Sequence, residues 1–292
     1  MSGGRGRAPL MRRRHDGWPW LVLQLVLAGS LLLLFFLPIY ALFTYATPAE
    51  IWSAATNAVV GQAIWLTLYA SGIAVLAAVV FAIPLGYLLG SRAFRGRSVV
   101  ESFVALPVAV PHLLVGLGLF LLVIPGTPLY RFTTELGFPI YDTIWGVVLV
   151  MVFVSAPYTV LAADLSFRAV DPRALEAARS LGAGPATAFL TVTLPLALRG
   201  IVAGLLLTWA RAVSEIGGIL ILAYYVLPSS GYNGPVSSTI SVLVYNLFQA
   251  GDLQGAAAVS AVFLLIAFAL FLAVRVGERS GWVPWRRGEL LP

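Results

Sequence analysis

The amino-acid sequence predicts an all-α integral membrane protein with six transmembrane helices. Of its 292 residues, 60% are hydrophobic and only 10% are charged, whereas soluble domains have about 25% charged residues. A soluble globule of this size lacks the polar surface needed to cover so much apolar material. The apolar residues form long runs without formal charge, and none alternates as the strands of a membrane barrel do. Since the chain also has no Cys, the composition argues against a soluble enzyme, a disordered chain and a disulfide scaffold.

Six stretches are long enough to cross a bilayer core, which needs about 20 helical residues. The predicted spans lie within residues 17–49, 61–91, 102–130, 143–163, the beginning of 200–251, and 253–274. The first run is too long for the apolar core of a signal peptide, and no convincing cleavage site follows it. We therefore expect a retained first helix, with Trp18 and Trp20 at the membrane interface.

The positions of the arginines predict the orientation. All 18 basic residues are Arg, and they cluster in the N-terminal tail, in the loops between spans two and three and between spans four and five, and near the C-terminus. The alternate loops contain only Arg131. Because positively charged loops stay in the cytoplasm, both termini are predicted to be cytoplasmic. The net charge of +6 follows from this asymmetry, and we expect no nucleic-acid partner.

The longest predicted cytoplasmic loop, residues 164–199, has the pattern helix, glycine turn, helix. Asp171 can cap a helix that has Pro172 in its first turn. Gly182 then supplies a helix stop, and Pro185 begins a second helix that leads into the fifth span. The sequence thus predicts a short cytoplasmic helix between transmembrane helices 4 and 5.

Two formal charges interrupt the apolar fifth stretch. Arg211 and Glu215 are four residues apart, which places them on one helical face where they can pair. Charges inside a membrane are costly and usually face a cavity or a partner. They are either part of a polar strip through the membrane, together with Ser214, or an ion pair that holds helices together.

The third span contains two prolines, Pro107 and Pro111, followed by His112. Each proline removes a helical hydrogen bond and can kink the helix. His112 is either a hydrogen-bonded packing residue or a pore-lining one. A metal site is not expected, because His15 in the tail is the only other histidine.

The cytoplasmic loop resembles the "EAA" loop of ABC-importer permeases. The matching residues are Glu176-Ala177-Ala178, Gly182 and Val192-Thr193-Leu194-Pro195, with Val192 in place of the family's Ile. The resemblance implies that the short helix docks in a groove on a separate ATPase subunit. The simpler alternative is an ordinary amphipathic helix. The residues implied in ATPase coupling are Glu176, Ala177, Ala178, Arg179 and Gly182.

Two segments resemble the molybdate/tungstate branch of these permeases. One runs from Arg211 to Gly217, and the other is the Leu-Pro-x-x-x-Pro-His segment from Leu106 to His112. Sulfate permeases have a similar stretch with Gly where this chain has Ser214, so Ser214 favours the molybdate/tungstate branch. The resemblance covers about residues 61–275. It implies a translocation pathway or gate with six candidate residues: Pro107, Pro111, His112, Arg211, Ser214 and Glu215.

The resemblance also implies the working assembly. Residues 18–276 would form a permease domain between a basic tail, 1–17, and a C-terminal tail, 277–292, in a prokaryotic plasma membrane. A second permease copy, two ATPase copies and an extracytoplasmic oxyanion-binding protein are the implied partners. ATP and Mg²⁺ would be bound by the ATPase, since a chain without Lys has no phosphate-binding P-loop. We therefore expect no cofactor, metal or catalytic residue in this chain.

Other functions remain as alternatives. Sulfate, thiosulfate or another small solute would suit the same class of permease. A gradient-driven secondary transporter would need several intramembrane acids, and Glu215 stands alone. A membrane-embedded enzyme would need a polar catalytic cluster, which the sequence lacks. The outer segment 229–251 is either a short re-entrant helix or an interfacial one.

Overall fold

The computed structural model describes residues 18–279, of which most are helical. The predicted tail 1–17 and residues 280–292 lie outside the described range. Within that range the chain forms twelve helices and no extended strands. They are α1 Trp18–Tyr45, α2 Pro48–Thr56, α3 Ala58–Ser91, α4 Arg97–Ala109, α5 His112–Val123, α6 Pro128–Glu135, α7 Ile144–Arg168, α8 Pro172–Ser180, α9 Pro185–Val213, α10 Gly217–Leu222, α11 Ile240–Gln249 and α12 Leu253–Arg279.

Five of the described helices, α1, α3, α7, α9 and α12, are long and apolar enough to cross a membrane individually. The helices α4 and α5 together make a sixth candidate span, but they meet at an angle of 110°. The predicted count of six therefore holds with one broken span. The span α9 begins at Pro185, earlier than predicted, because the second helix of the predicted cytoplasmic loop continues into it through a π-helical turn at Phe189–Thr193.

The break in the third span lies at Val110 and Pro111, where a single kinked helix was predicted. Val110 has extended backbone angles of −80° and 135°. A residue that precedes proline is pushed out of the helical region, and proline itself has no N–H to donate. Pro107 behaves differently, since it lies inside the continuous helix α4. Only the second proline therefore separates the two halves.

The helix α7 is the centre of the bundle. In its most apolar stretch, 61% of the residues are buried, compared with none in α1. Gly86 and Gly90 of α3 pack directly on α7, so that a Cβ at Gly86 would lie 2.5 Å from the Cβ of Ala163. Gly200 and Gly204 of α9 contact α7 in the same way. Small residues spaced by four let membrane helices approach closely where no hydrophobic effect drives them together.

The segment that follows α10 folds back on itself. Two isolated β-bridges, Val226 with Ser237 and Ser229 with Tyr232, close the loop, and the Trp145 indole N–H donates to the Ser230 carbonyl at 2.6 Å. The helix α11 that follows is ten residues long and therefore too short to cross the bilayer. It packs against α3 and α12 through an apolar cluster that includes Ile240.

Asp142, in the turn before α7, has an unusual backbone angle φ of +50°. Its N–H donates to the Leu222 carbonyl at 3.2 Å. Burial raises the pKa of the Asp142 carboxyl above its usual value, although hydrogen bonds from Tyr141 and the Tyr224 backbone act in the opposite direction. The folded protein thus holds this proton more tightly than the unfolded chain. Stability should consequently fall as pH rises from the ordinary aspartate pKa of 3.8 through the raised pKa of the folded protein.

Asp142→Asn is expected to stabilise the protein modestly at neutral pH. It removes a partly buried charge, and Asn adopts positive φ more readily than most residues. The gain should shrink near pH 4, where the native Asp is itself partly protonated. Asp142→Val is the matched control and should cost about 1–2 kcal/mol, because a β-branched residue resists this conformation. Thermal melting in detergent at both pH values measures these effects, and equal melting temperatures for the two variants would contradict the interpretation.

Candidate functional site

Two interrupted membrane helices meet at the candidate site. The break before α5 places His112 at the start of that helix. The break between α9 and α10 places Ser214, Glu215 and Ile216 beside it. Glycines make this contact possible: a Cβ at Gly116 of α5 would lie 2.7 Å from the Gly218 Cα. The two breaks are therefore held in direct backbone contact, which continuous helices with ordinary side chains would prevent.

A polar cluster joins the two breaks. Arg211 Nη2 donates to Glu215 Oε2 at 2.7 Å and lies 2.6 Å from Nε2 and 2.9 Å from Nδ1 of His112. Arg211 Nη1 donates to the Ser214 hydroxyl at 3.2 Å. The sequence left open whether Arg211 pairs with Glu215 or with another helix, and the structure shows both contacts.

Glu215 is the most deeply buried member of the cluster. Its side chain is 1% exposed, compared with 17% for Arg211 and 36% for His112. Its second carboxylate oxygen, Oε1, accepts from the Gly218 N–H at 2.8 Å. A buried carboxylate needs such partners, because an unpaired charge in a low-dielectric interior is very costly.

The imidazole of His112 lies beside the Arg211–Glu215 pair. Its Nδ1 is 3.5 Å from Glu215 Oε2, and its Nε2 faces Arg211. An Arg N–H can donate only to an unprotonated ring nitrogen. Arg211 Nη2 lies within hydrogen-bond distance of both ring nitrogens, so whichever nitrogen is unprotonated can accept from it.

The cluster lines an open cavity of about 420 Å³. Five of the six predicted pathway residues therefore come together, and Pro107 does not, because it lies buried inside α4, away from the cavity. The lining residues are Pro111, His112, Leu113, Arg211, Ser214, Glu215, Ile216 and Gly217.

The predicted cytoplasmic helix is present as α8, and its ends are formed as the sequence predicts. The Asp171 carboxylate accepts from the Arg173 N–H at 2.9 Å. At the other end Gly182 has a φ of +89°, and its N–H donates to the Arg179 carbonyl at 2.9 Å. Glycine is the usual residue at this helix-ending position because it has no Cβ.

The face of α8 is open to solvent. Glu176, Ala177 and Arg179 are exposed, and Ala178 is half-buried. Sequence reasoning missed Leu181, which directly follows α8 and is 90% exposed. Only its position just before Gly182, at the tip of the loop, could have drawn attention to it. The loop therefore presents a leucine and two small alanines beside two charged residues.

An ion-pair network lies at the base of this loop, and sequence reasoning also missed it. Arg168, the last residue of α7, donates to Asp164 at 2.6 and 2.7 Å and to Glu101 of α4 at 2.8 Å. Arg97 pairs with Glu101 at 2.8 Å and lies 3.6 Å from Asp164. The spacing of Asp164 and Arg168 hints at a pair, but Glu101 is 67 residues away. The network ties α4 to the helix that leads into the loop.

Across residues 18–279, no group of three or more His, Asp or Glu side chains is arranged to hold a metal ion.

A bundle of membrane-spanning helices, with a polar cavity between two broken members and an exposed helix in a loop, defines a multi-pass membrane permease. The chain belongs to the family described as the binding-protein-dependent transport system inner membrane component, whose model matches residues 82–280. This family membership confirms the predicted class and places the chain among prokaryotic membrane permeases.

Named relatives support a more specific grouping. The chain is 37% identical to a probable molybdenum ABC transporter permease of Haloferax volcanii, over 90% of this chain and 92% of the relative. It is 35% identical to a molybdate/tungstate transport system permease of Thermococcus kodakarensis, over 75% and 80%. A sulfate transport system permease of Synechococcus elongatus is 32% identical, over 91% and 92%.

The fold is also that of a solved ABC importer. A chain of the bacterial alginate ABC transporter, crystallised with an alginate-bound periplasmic protein, superimposes with a TM-score of 0.67 at 20% identity, covering 89% of this chain and 94% of that one. At this identity the likeness establishes the ABC-importer permease fold.

Proposed function

We propose that this chain is the permease subunit of an ATP-driven importer for molybdate or tungstate. The observation that carries the proposal is its identity to the molybdenum and molybdate/tungstate permeases over most of both chains. In the proposed assembly residues 18–276 are the permease domain, both termini are cytoplasmic, and two copies line one pathway. An extracytoplasmic binding protein delivers the oxyanion to the outer mouth.

The exposed loop at α8 supports docking of a separate ATPase on each copy. Alanines at 177 and 178 let a helix approach another surface closely, and the exposed Leu181 side chain supplies apolar area. Glu176 and Arg179 are placed to contact the rim of a groove. ATP and Mg²⁺ belong to the ATPase in this arrangement, so the permease itself performs no chemical step.

The ion-pair network suggests how loop movement reaches the cavity. When ATP draws the two ATPases together, the α8 helices move with them. Arg168 and Asp164 of α7 form ion pairs with Glu101 and Arg97 of α4. A movement of α7 therefore pulls α4 with it. The far end of α4 leads to Pro111 and His112 at the cavity. The network thus acts as the mechanical link in alternating access, where one gate opens as the other closes.

A sulfate importer is the second candidate. It is supported by the identity to the Synechococcus elongatus permease and by the similar Arg and Glu positions in sulfate permeases. Sulfate, molybdate and tungstate are all tetrahedral dianions, so one cavity chemistry suits all three. The relatives with higher identity favour molybdate or tungstate.

Deleting the gene in the organism that carries it tests the proposed function. Cellular molybdenum and tungsten, measured by mass spectrometry at limiting supply, are expected to fall and to recover when the gene is restored. Sulfate uptake in the same strains is the control. If sulfate uptake falls while both metals remain at the parental level, the molybdate/tungstate assignment is wrong and the sulfate alternative is supported.

A further inference from the structure

We propose that Arg211, Ser214 and His112 form a transient binding site for a tetrahedral dianion, and that Glu215 is a built-in counter-ion which keeps this site weak. The inference rests on the proposed function, because it assigns the transported oxyanion to one cavity within the permease. It also gives the intramembrane Glu215 a role other than joining helices.

Arg211 retains the donors that such a site needs. A guanidinium has five N–H groups, and the described contacts engage three of them, directed to Glu215, His112 and Ser214. The Nε–H and the second hydrogen on Nη1 remain for a ligand. The Ser214 hydroxyl is exposed at the cavity. Its proton is donated to the Arg211 carbonyl at 3.1 Å, so it can reach a ligand only after the hydroxyl rotates. Planar guanidinium donors suit the oxygen atoms of a tetrahedral oxyanion.

The cavity has room for the ion together with some of its water. Its volume of about 420 Å³ is many times the roughly 30 Å³ that one water occupies in the liquid. An oxyanion can therefore enter without losing its whole hydration shell. Partial hydration avoids much of the desolvation cost that burying a charge carries.

Glu215 limits how strongly the ion is held. The charges of Arg211 and Glu215 cancel each other within the ion pair, so the net attraction of the pair for an arriving dianion is small. The carboxylate cannot turn away, because Gly218 and Arg211 hold its two oxygens at 2.8 and 2.7 Å. Every bound dianion is thus repelled by a fixed negative charge. A site on a transport pathway must release its ion rapidly, and this internal repulsion provides that release.

A purely structural ion pair explains the same contacts and makes different predictions. It would hold α5 against the junction of α9 and α10, and it would be indifferent to oxyanions in solution. The two interpretations separate in experiments that measure anion occupancy.

The first experiment probes the native cluster through His112. The chain has two histidines, so His15→Gln leaves His112 as the single imidazole; the protein is purified through a tag without histidine. Millimolar tungstate is expected to slow carbethoxylation of His112 by diethyl pyrocarbonate roughly tenfold, since a bound ion on Arg211 covers the ring. Chloride at equal ionic strength should not protect. An unchanged rate with tungstate, molybdate and sulfate overturns the proposal.

The second experiment removes the counter-ion. Glu215→Gln retains a carbonyl oxygen for the Gly218 N–H and abolishes the negative charge. In equilibrium dialysis, purified Glu215→Gln protein should retain tungstate roughly tenfold more strongly than the wild type, about the size of one charge-assisted interaction. The double variant Arg211→Gln, Glu215→Gln should lose this gain. Folded Glu215→Gln protein that binds tungstate no better than the wild type contradicts the counter-ion role.

These results are independent of the gene-deletion test. Protection of His112 by sulfate alone would support the dianion site and refute the molybdate/tungstate assignment. Cellular uptake of molybdate without any protection of His112 would support the importer and refute the site.

Discussion

Uptake of the oxyanion is expected to fall by a factor of roughly ten or more when Leu181 is replaced by Asp, because docking of the ATPase is lost. Leu181 is 90% exposed, so the substitution removes little packing within the described chain. Burying a leucine in a partner's groove is worth about 1.5–3 kcal/mol, and placing an unpaired carboxylate there costs several kcal/mol more. A change outside the membrane should therefore stop transport without unfolding the permease.

The matched control is Leu136→Asp. Leu136 follows α6 and is 57% exposed, so it receives the same substitution on the predicted opposite side of the membrane. Three measurements decide the result: permease abundance in membranes, co-purification of the ATPase, and cellular molybdenum. Leu181→Asp should retain only the first, and Leu136→Asp should retain all three. Normal uptake by Leu181→Asp would show that this loop is not the docking element.

A strongly destabilised permease is the expected result of Gly116→Leu. A Cβ at this position would lie 2.7 Å from both the Cα and the carbonyl oxygen of Gly218. These are backbone atoms, which cannot rotate aside as a side chain does. Overpacking typically costs about 1–3 kcal/mol and sometimes more, and here it also forces the two broken helices apart. The cluster of His112, Arg211 and Glu215 depends on that contact, so activity and stability should fall together.

Gly118, on the same helix α5, supplies the control. No atom lies within 4 Å of a Cβ built there, and alanine is favoured over glycine in a helix by about 1 kcal/mol. Gly118→Ala should therefore leave the melting temperature in detergent equal or slightly higher, while Gly116→Ala should lower it and Gly116→Leu should lower it further. If Gly116→Ala and Gly118→Ala have the same melting temperature, the close approach of α5 and α10 does not stabilise the cluster of His112, Arg211 and Glu215.

The elements that the sequence predicted correctly are those set by local chemistry. Long apolar runs give membrane helices because only a helix satisfies its own backbone in lipid. Asp171 and Gly182 fixed the ends of α8, since capping depends on a few neighbouring residues. The two prolines predicted an interruption in the third span, but the sequence did not show whether the helix would be kinked or broken at an angle of 110°. Pro107 remained within a helix, so a proline alone does not decide the outcome.

Contacts between distant segments were beyond local reasoning. Arg211 and Glu215 are neighbours on one turn, and their pairing was foreseen as one alternative. The approach of His112, 99 residues before Arg211, depends on two helix breaks arriving at the same place, which requires glycine at 116 and 218. The link from Arg168 to Glu101 likewise joins helices whose relative position only packing decides. Such contacts are set by how whole helices fit, and no local pattern encodes that fit.

The sequence by itself determined that this chain is a bundle of membrane helices with a short helix in its longest charged loop, because hydrophobicity, proline and capping act over a few residues. The tertiary structure alone decided that the buried carboxylate, the guanidinium and the imidazole share one cavity. Close packing of glycine faces on α7 and at the junction of α5 and α10 brings those groups together, since membrane helices lacking bulky side chains at their crossings pack backbone against backbone.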